Sequence, residues 1–360
     1  MNNDIYAYSG SYDMEERVYH DEEMEVDEFE TGDLVEYMME STARSEYKPL
    51  TVNEPKDVYS MLDIYTISLT SDAREFTYFL NYAFGINRYY RTYDAGNLML
   101  MYYQNPNATY VYDREIWQNQ LGITIKDNAI PMVILENLTQ IKPDLSNIDS
   151  LYVSEAYDIS DTFSYLEGDT RYKFLDNGEA AQSIIELRPC YIGKSDSGFI
   201  GKHVVYDPVY DYILTSGGCK DYEEVFAEFC REYFHYYVRH MMDDEDLKEE
   251  KETGKKVHKR YTKDKFDVYA DIAAMVLSNL YGMYPENFNF RVIEPSFKNK
   301  TPGVIRAELS IIFELIYEMD NRIQAYLYNK RYTDNIVNTA SDNAVATNGY
   351  AEESGGGEGL

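Results

Sequence analysis

Residues 221–242 read DYEEVFAEFCREYFHYYVRHMM. Apolar side chains fall at Val225, Phe226, Phe229, Tyr233, Tyr237 and Met241, the three- and four-residue spacing of one helix face. Inside that helix stands Arg231-Glu232-Tyr233-Phe234-His235. In a zinc peptidase helix two histidines sit at i and i+4, on the same side one turn apart. A glutamate next to the first takes the proton of the metal-bound water. A further ligand commonly follows on a second helix in the pattern ExxAD, whose last acid orients a ligand imidazole. Here Asp267-Val268-Tyr269-Ala270-Asp271 has that spacing, with Asp267 where a glutamate would stand. The reading therefore predicts two facing helices that bring Arg231, Glu232, His235, Asp267 and Asp271 to one junction.

The residue types at those positions decide the chemistry. A guanidinium is permanently positive and cannot coordinate a cation, and Asp267 is about one methylene shorter than the usual glutamate ligand. His235 and Asp267 alone would make a weak divalent site, so zinc is not the expected cofactor and Glu232 is expected to be a relic of a catalytic base. Arg231 can pair instead with Asp267 or Glu232, turning a metal site into an ion-pair strut between the same two helices. Cys230 and His240 stand at spacings that do not complete a ligand set, and the sequence contains no GxGxxG, Walker A or GxSxG pattern.

Outward from this helix the chain reads as mixed. Residues 57–90 carry two helices, with Ser71-Asp72 placed to start the second, and residues 97–103 a third. Residues 109–112 have strand character, Trp117 belongs to a short helix, and residues 123–125 and 131–135 form a hairpin about the turn 126–129. Residues 151–153 with 157–159 read as a further strand, and 203–206 and 212–214 as two more. Helices follow over 266–281 and 304–328, with the basic stretch 248–265, eight Lys and Arg against four acids, as a mobile loop. The expected fold class is α+β. A mixed domain over 51–170 precedes a mainly helical one over 171–330, with acidic disordered tails at 1–50 and 331–360.

Composition bounds the partners. The chain has 360 residues with 64 acidic and 33 basic side chains, a formal charge of −31. Residues 1–50 hold 15 acids against 3 bases and residues 331–360 hold 5 against 1, so the ends carry about half of that charge. An acidic chain argues against unspecific duplex binding through a broad basic face. No apolar run approaches the roughly 18–20 residues of a membrane span, and the acidic start lacks the features of a signal peptide, so a cytoplasmic protein with no membrane partner is expected. Three cysteines with no CxxC pair give no disulfide framework. The 38 tyrosines against one tryptophan supply an amphipathic aromatic surplus.

The order of motifs resembles the ArdC-like antirestriction proteins of conjugative plasmids and related mobile elements, with their LtrC-like relatives. The resemblance covers most of residues 57–330. It rests on Tyr93, the run Asn97-Leu98-Met99-Leu100, the run from Gln104 to Val111, Trp117 and Gly122, the Asp158-Ile159-Ser160-Asp161-Thr162 element, and the two peptidase-like helices. It implies a single-stranded-DNA-binding N-terminal domain and a zincin-like metallopeptidase fold after it. The hairpin turn departs from the family's Lys-Lys-Gly, reading Lys126-Asp127-Asn128, and the ligand positions depart as described above. A pseudopeptidase is expected.

Single-strand binders combine stacking aromatics with a few cations. On that basis the candidate DNA contacts are Arg88, Tyr89, Tyr90, Arg91, Tyr93, Asn97, Tyr103, Gln104, Trp117 and Lys126. The expected function is that of a single-stranded-DNA-binding, antirestriction-type protein with an inactive peptidase-like domain, which could hold a protein partner, as could the acidic tail. Two alternatives are a zinc metallopeptidase with atypical ligands and an acidic DNA mimic.

Overall fold

The computed structural model describes residues 28–29, 50, 54–86, 93–138, 147–163, 177–195, 203–216, 221–256, 260–285, 290–291, 297 and 299–349. The fold is mixed α+β. Helix α1 (Pro55–Thr70) has proline in its first turn, where the missing N–H costs nothing, and buries Val58, Tyr59, Leu62, Thr66 and Leu69 along one stripe. Helix α2 (Ala73–Gly85) starts where Ser71-Asp72 predicts: the Asp72 carboxylate accepts from Glu75 N at 2.9 Å. Helix α3 (Ala95–Gln104) is capped in the same way by Asp94.

Three small sheets accompany the helices. The short strand β1 (Glu28–Phe29) pairs antiparallel with β8 (Phe290–Arg291). Strands β2 (Val111–Asp113), β3 (Met132–Glu136) and β4 (Tyr152–Asp158) form an antiparallel sheet in the order β2-β4-β3. The hairpin expected over 123–135 is not formed. Strand β3 pairs with β4 instead, and Ile125 makes only an isolated bridge to Thr162. After α4 (Asn177–Leu187), strands β5 (Tyr191–Ser195), β6 (Val204–Asp207) and β7 (Tyr212–Ser216) give a second three-stranded sheet in the order β5-β7-β6, with β5 parallel to β7. The sequence reading did not find helix α4 and strand β5.

The remaining helices run longer than expected. Helix α5 (Tyr222–Thr253) continues through the charged run 243–253 and stops at Gly254, whose φ of 67° is the left-handed conformation that ends helices readily only with glycine. The basic stretch is therefore partly helix. Arg260 beyond it is also tied down, pairing with Glu245, Asp246 and Glu249 on the last turns of α5. Helix α6 spans Lys263–Leu280. Helix α7 (Pro302–Gly349) passes residue 331, where an unstructured tail was expected; from residue 331 onward no proline interrupts the helix and no glycine occurs before its last residue, Gly349.

A single buried cluster joins both halves: Leu62, Phe76, Phe79 and Met99 from the N-terminal helices, Phe226 and Tyr233 from α5, Met275 from α6, and Phe313 and Ile316 from α7. Polar ties repeat the message. Arg306 on α7 donates to Asp63 and Thr66 on α1 at 2.7 and 3.0 Å, and Asn279 on α6 donates to Asn81 on α2 at 3.0 Å. The boundary expected at residues 170/171 thus crosses one continuous core. A smaller separate cluster of Tyr112, Ile116, Trp117, Ile125 and Tyr157 lies under the β2–β4 end of the first sheet. Among the described residues no helix is long and apolar enough to cross a membrane.

Candidate functional site

Arg231, His235, Asp267 and Asp271 meet where α5 packs on α6, and the contact is built by charge, while Glu232 does not join them. Asp221 caps α5 by accepting from Glu223 N and Glu224 N, which fixes the phase of the helix. Successive turns then aim Glu228, Arg231, Glu232 and His235 at β6 and α6. Asp267 and Asp271, one turn apart on α6, meet them. Arg231 Nη2 donates to Asp267 Oδ1 at 3.2 Å, and Arg231 Nε lies 2.9 Å from Asp271 Oδ1 as an ion pair. His235 Nε2 is 3.1 Å from the same Asp267 oxygen, while its Nδ1 is 3.3 Å from the Tyr261 hydroxyl. His235 is fully buried, and that burial holds its pKa below the ordinary 6.5 despite the neighbouring Asp267 carboxylate.

Glu232 points the other way, under the second sheet. It is 1% exposed, and its Oε2 accepts from Tyr206 N at 2.8 Å and from Lys263 Nζ at 2.6 Å. Lys263 also donates to Tyr206 O at 3.2 Å. One turn earlier, Glu228 accepts from His203 N and Val204 N at 2.7 and 2.6 Å; burial raises its carboxyl pKa above the usual value. The two glutamates therefore close the outer edge of β6. An open cleft of about 380 Å³, lined in part by Val209, Arg239, Tyr261 and Lys263, adjoins this junction. His240 turns away, onto Asp211 at 3.0 Å, and Cys230 is a buried thiol whose pKa burial raises.

Zinc does not fit these residues. The guanidinium of Arg231 sits on Asp267 and Asp271, and the ammonium of Lys263 sits on Glu232, so the carboxylates that would hold or serve a metal already face cations. Among the described residues no three His, Cys, Asp or Glu side chains cluster to hold an ion. The sequence reading offered Asp267 or Glu232 as the partner of Arg231; the structure gives it Asp267 and Asp271, and pairs Glu232 with Lys263, which the reading missed. The signal was available: Lys263, Asp267 and Asp271 stand at i, i+4 and i+8 on one helix face.

The expected DNA contacts divide into three groups. Arg88, Tyr89, Tyr90 and Arg91 lie outside the described residues. Tyr93, Asn97, Gln104 and Trp117 are buried and hydrogen-bonded within the fold. Asn97 Nδ2 donates to Leu135 O at 2.9 Å and its Oδ1 accepts from Leu135 N at 2.8 Å. Gln104 repeats this pattern on Val133, with both bonds at 2.8 Å. Trp117 Nε1 donates to Tyr157 O at 2.9 Å, and the Tyr93 hydroxyl donates to Val111 O at 3.4 Å. The third group, Tyr103 and Lys126, is half-buried. Tyr103 stacks on Tyr65 with ring centroids 4.0 Å apart, and Lys126 Nζ donates to Ser160 O at 2.7 Å.

No family model matches the chain, and no curated protein matches it. Among solved structures it is similar to the Mn(II)-bound crystal structure of the antirestriction protein ArdC from plasmid R388. The TM-score is 0.38 at 12% sequence identity, over 76% of this chain and 96% of that chain.

Proposed function

We propose that this chain is an antirestriction-type protein of a mobile element that acts on single-stranded DNA, and that its peptidase-like helix pair is a non-catalytic scaffold. The observation that carries the second half is the pair of cations at the junction. Arg231 on Asp267 and Asp271, and Lys263 on Glu232, supply from two side chains the double positive charge that a divalent ion would bring. Glu232, the residue at the position of a catalytic base, is instead engaged by Tyr206 N–H and Lys263. The helices are kept, and the chemistry is replaced by a strut that joins α5 to α6.

The DNA half is supported by the N-terminal signature from Tyr93 to Trp117 and by the aromatic surplus. The net charge of −31 favours a binder that relies on stacking and a few cations over one that relies on a broad basic face. The test is fluorescence anisotropy of a labelled single-stranded oligonucleotide with the full chain at two salt concentrations, against a duplex of the same sequence. Salt-sensitive binding that prefers the single strand is expected, and no binding at low salt refutes the reading. Stoichiometric zinc retained after chelator dialysis, and lost in His235→Ala, would overturn the non-catalytic half.

A further inference from the structure

The cleft of about 380 Å³ beside the junction is not consumed by the ion-pair strut. That volume falls within the roughly 300–1,000 Å³ of small-molecule sites. Three elements wall it: the turn after β6 with Pro208 and Val209, α5 with Arg239, and the start of α6 with Thr262 and Lys263. The walls are ordered by their own bonds. Asp207 Oδ1 accepts from Val209 N and Tyr210 N at 2.8 and 3.2 Å, which holds the turn. Arg239 Nη1 donates to the Tyr206 hydroxyl and to Asp211 Oδ1 at 2.8 and 3.0 Å, and its Nε lies 3.4 Å from Asp243 Oδ2. Lys263 is fixed by Glu232 and by Tyr206 O.

What these bonds leave over is a set of donors. Among the described residues Arg239 Nη2 has no partner, and Lys263 keeps one N–H after Glu232 and Tyr206 O have taken two. The Thr262 side chain makes no capping bond at the start of α6. The acceptors are spent: Asp243 faces Arg239 and Glu232 lies beneath Lys263. A guanidinium, an ammonium and a hydroxyl on separate elements therefore line one space, and a phosphate, with several acceptor oxygens, can answer all three. The start of α6 adds N–H groups of favourable polarity. Acids stand behind both cations and cancel much of their charge, so the attraction is carried by directed bonds and not by a broad positive field. The chain as a whole, at −31, supplies no such field either.

We propose that this cleft is a phosphate-binding site, so that the place beside the peptidase-like helices holds an anion. The phosphate can belong to a single strand, in which case the inference rests on the DNA-binding reading above, or to a free nucleotide. The experiment titrates full-length wild type, Arg239→Gln, Val209→Asp and Val209→Lys with a deoxynucleoside 5′-monophosphate, with the same nucleoside lacking its phosphate, and with a labelled single-stranded oligonucleotide. Arg239→Gln is expected to weaken binding of the phosphate ligand roughly 10- to 150-fold, the loss of a charged hydrogen bond. Val209 is 79% exposed, so its variants leave the fold intact and change only the charge of the cleft wall. Val209→Asp should weaken binding roughly 3- to 10-fold and Val209→Lys strengthen it by a similar factor. The nucleoside should not bind. Sensitivity of the monophosphate to these variants, without binding of the strand, supports the site and refutes the DNA reading. Strand binding that ignores all three variants, with no binding of the monophosphate, overturns the site and leaves the DNA reading standing. Nucleoside binding equal to that of the monophosphate also overturns it.

Discussion

The outer strands of the two three-stranded sheets, β3 and β6, are both closed along their free edge by side chains from one helix, and they are closed with different chemistry. On β3, Asn97 and Gln104 of α3 each offer an acceptor and a donor, so one neutral side chain satisfies both the N–H and the C=O of Leu135 or Val133. Gly96 lets α3 come close enough: a Cβ there would meet Leu138 Cδ2 at 2.5 Å. On β6, Glu228 and Glu232 of α5 can only accept. The C=O of Tyr206 needs a second residue, Lys263, and the buried charge of Glu232 needs the same residue as its counterion. A neutral closure is self-sufficient, whereas an ionic one draws a third element into the bond. That difference is why the C-terminal edge also locks α6 to α5.

The buried ion pairs carry the largest expected effect. Arg231→Met removes the guanidinium that faces the buried carboxylate of Asp271, which is 1% exposed, and should cost about 3–5 kcal/mol in urea unfolding. Pairing it with Asp271→Leu should recover most of that loss, because the penalty is the uncompensated charge and not the missing attraction. A single variant within 1 kcal/mol of wild type would dispose of the strut. Next in size, Gln104→Leu orphans the N–H and C=O of Val133, at about 1–3 kcal/mol for each buried group. This loss should be the same at pH 5 and pH 8, since an amide does not titrate there.

A pH titration sharpens the contrast further. His235 has its folded-state pKa below 6.5 because it is buried, so the unfolded chain binds the proton more tightly. Stability should therefore be complete above pH 6.5 and fall as the pH drops below it, towards the folded-state value. Melting temperatures from pH 7.5 to 5 check this, and His235→Gln should flatten the slope if the assignment is right. The smallest effect is the control. The pair Arg322–Glu318 is about half exposed on both sides, and Glu318→Gln should shift stability by only about 0.5 kcal/mol or less. A cost comparable to Arg231→Met would mean that burial is not what distinguishes the junction.

The helices and the junction were legible because their signals are local. Asp72 and Asp94 announce helix starts, the stripe from Phe226 to Met241 announces a buried face, and Arg231 with Asp267 announces a pair at metal-ligand spacing. The pairing of β3 was not legible. The runs 123–125 and 131–135 are separated by a polar turn, as in a hairpin, yet β3 takes β4 on one side and helix side chains on the other. The buried state of Gln104 escaped for the same reason: a residue suited to a DNA surface is equally suited to satisfying a strand edge.

Residue type and spacing alone fix the helix faces, the acidic balance and the presence of Arg231 four residues before His235, without knowledge of distant contacts. Only the tertiary structure decided that Lys263 neutralises Glu232, that amides close one sheet and carboxylates the other, and that α7 ties both halves into one core. Those outcomes depend on which backbone groups are left unpaired once the strands have chosen their partners, and that choice is made between segments far apart in the chain.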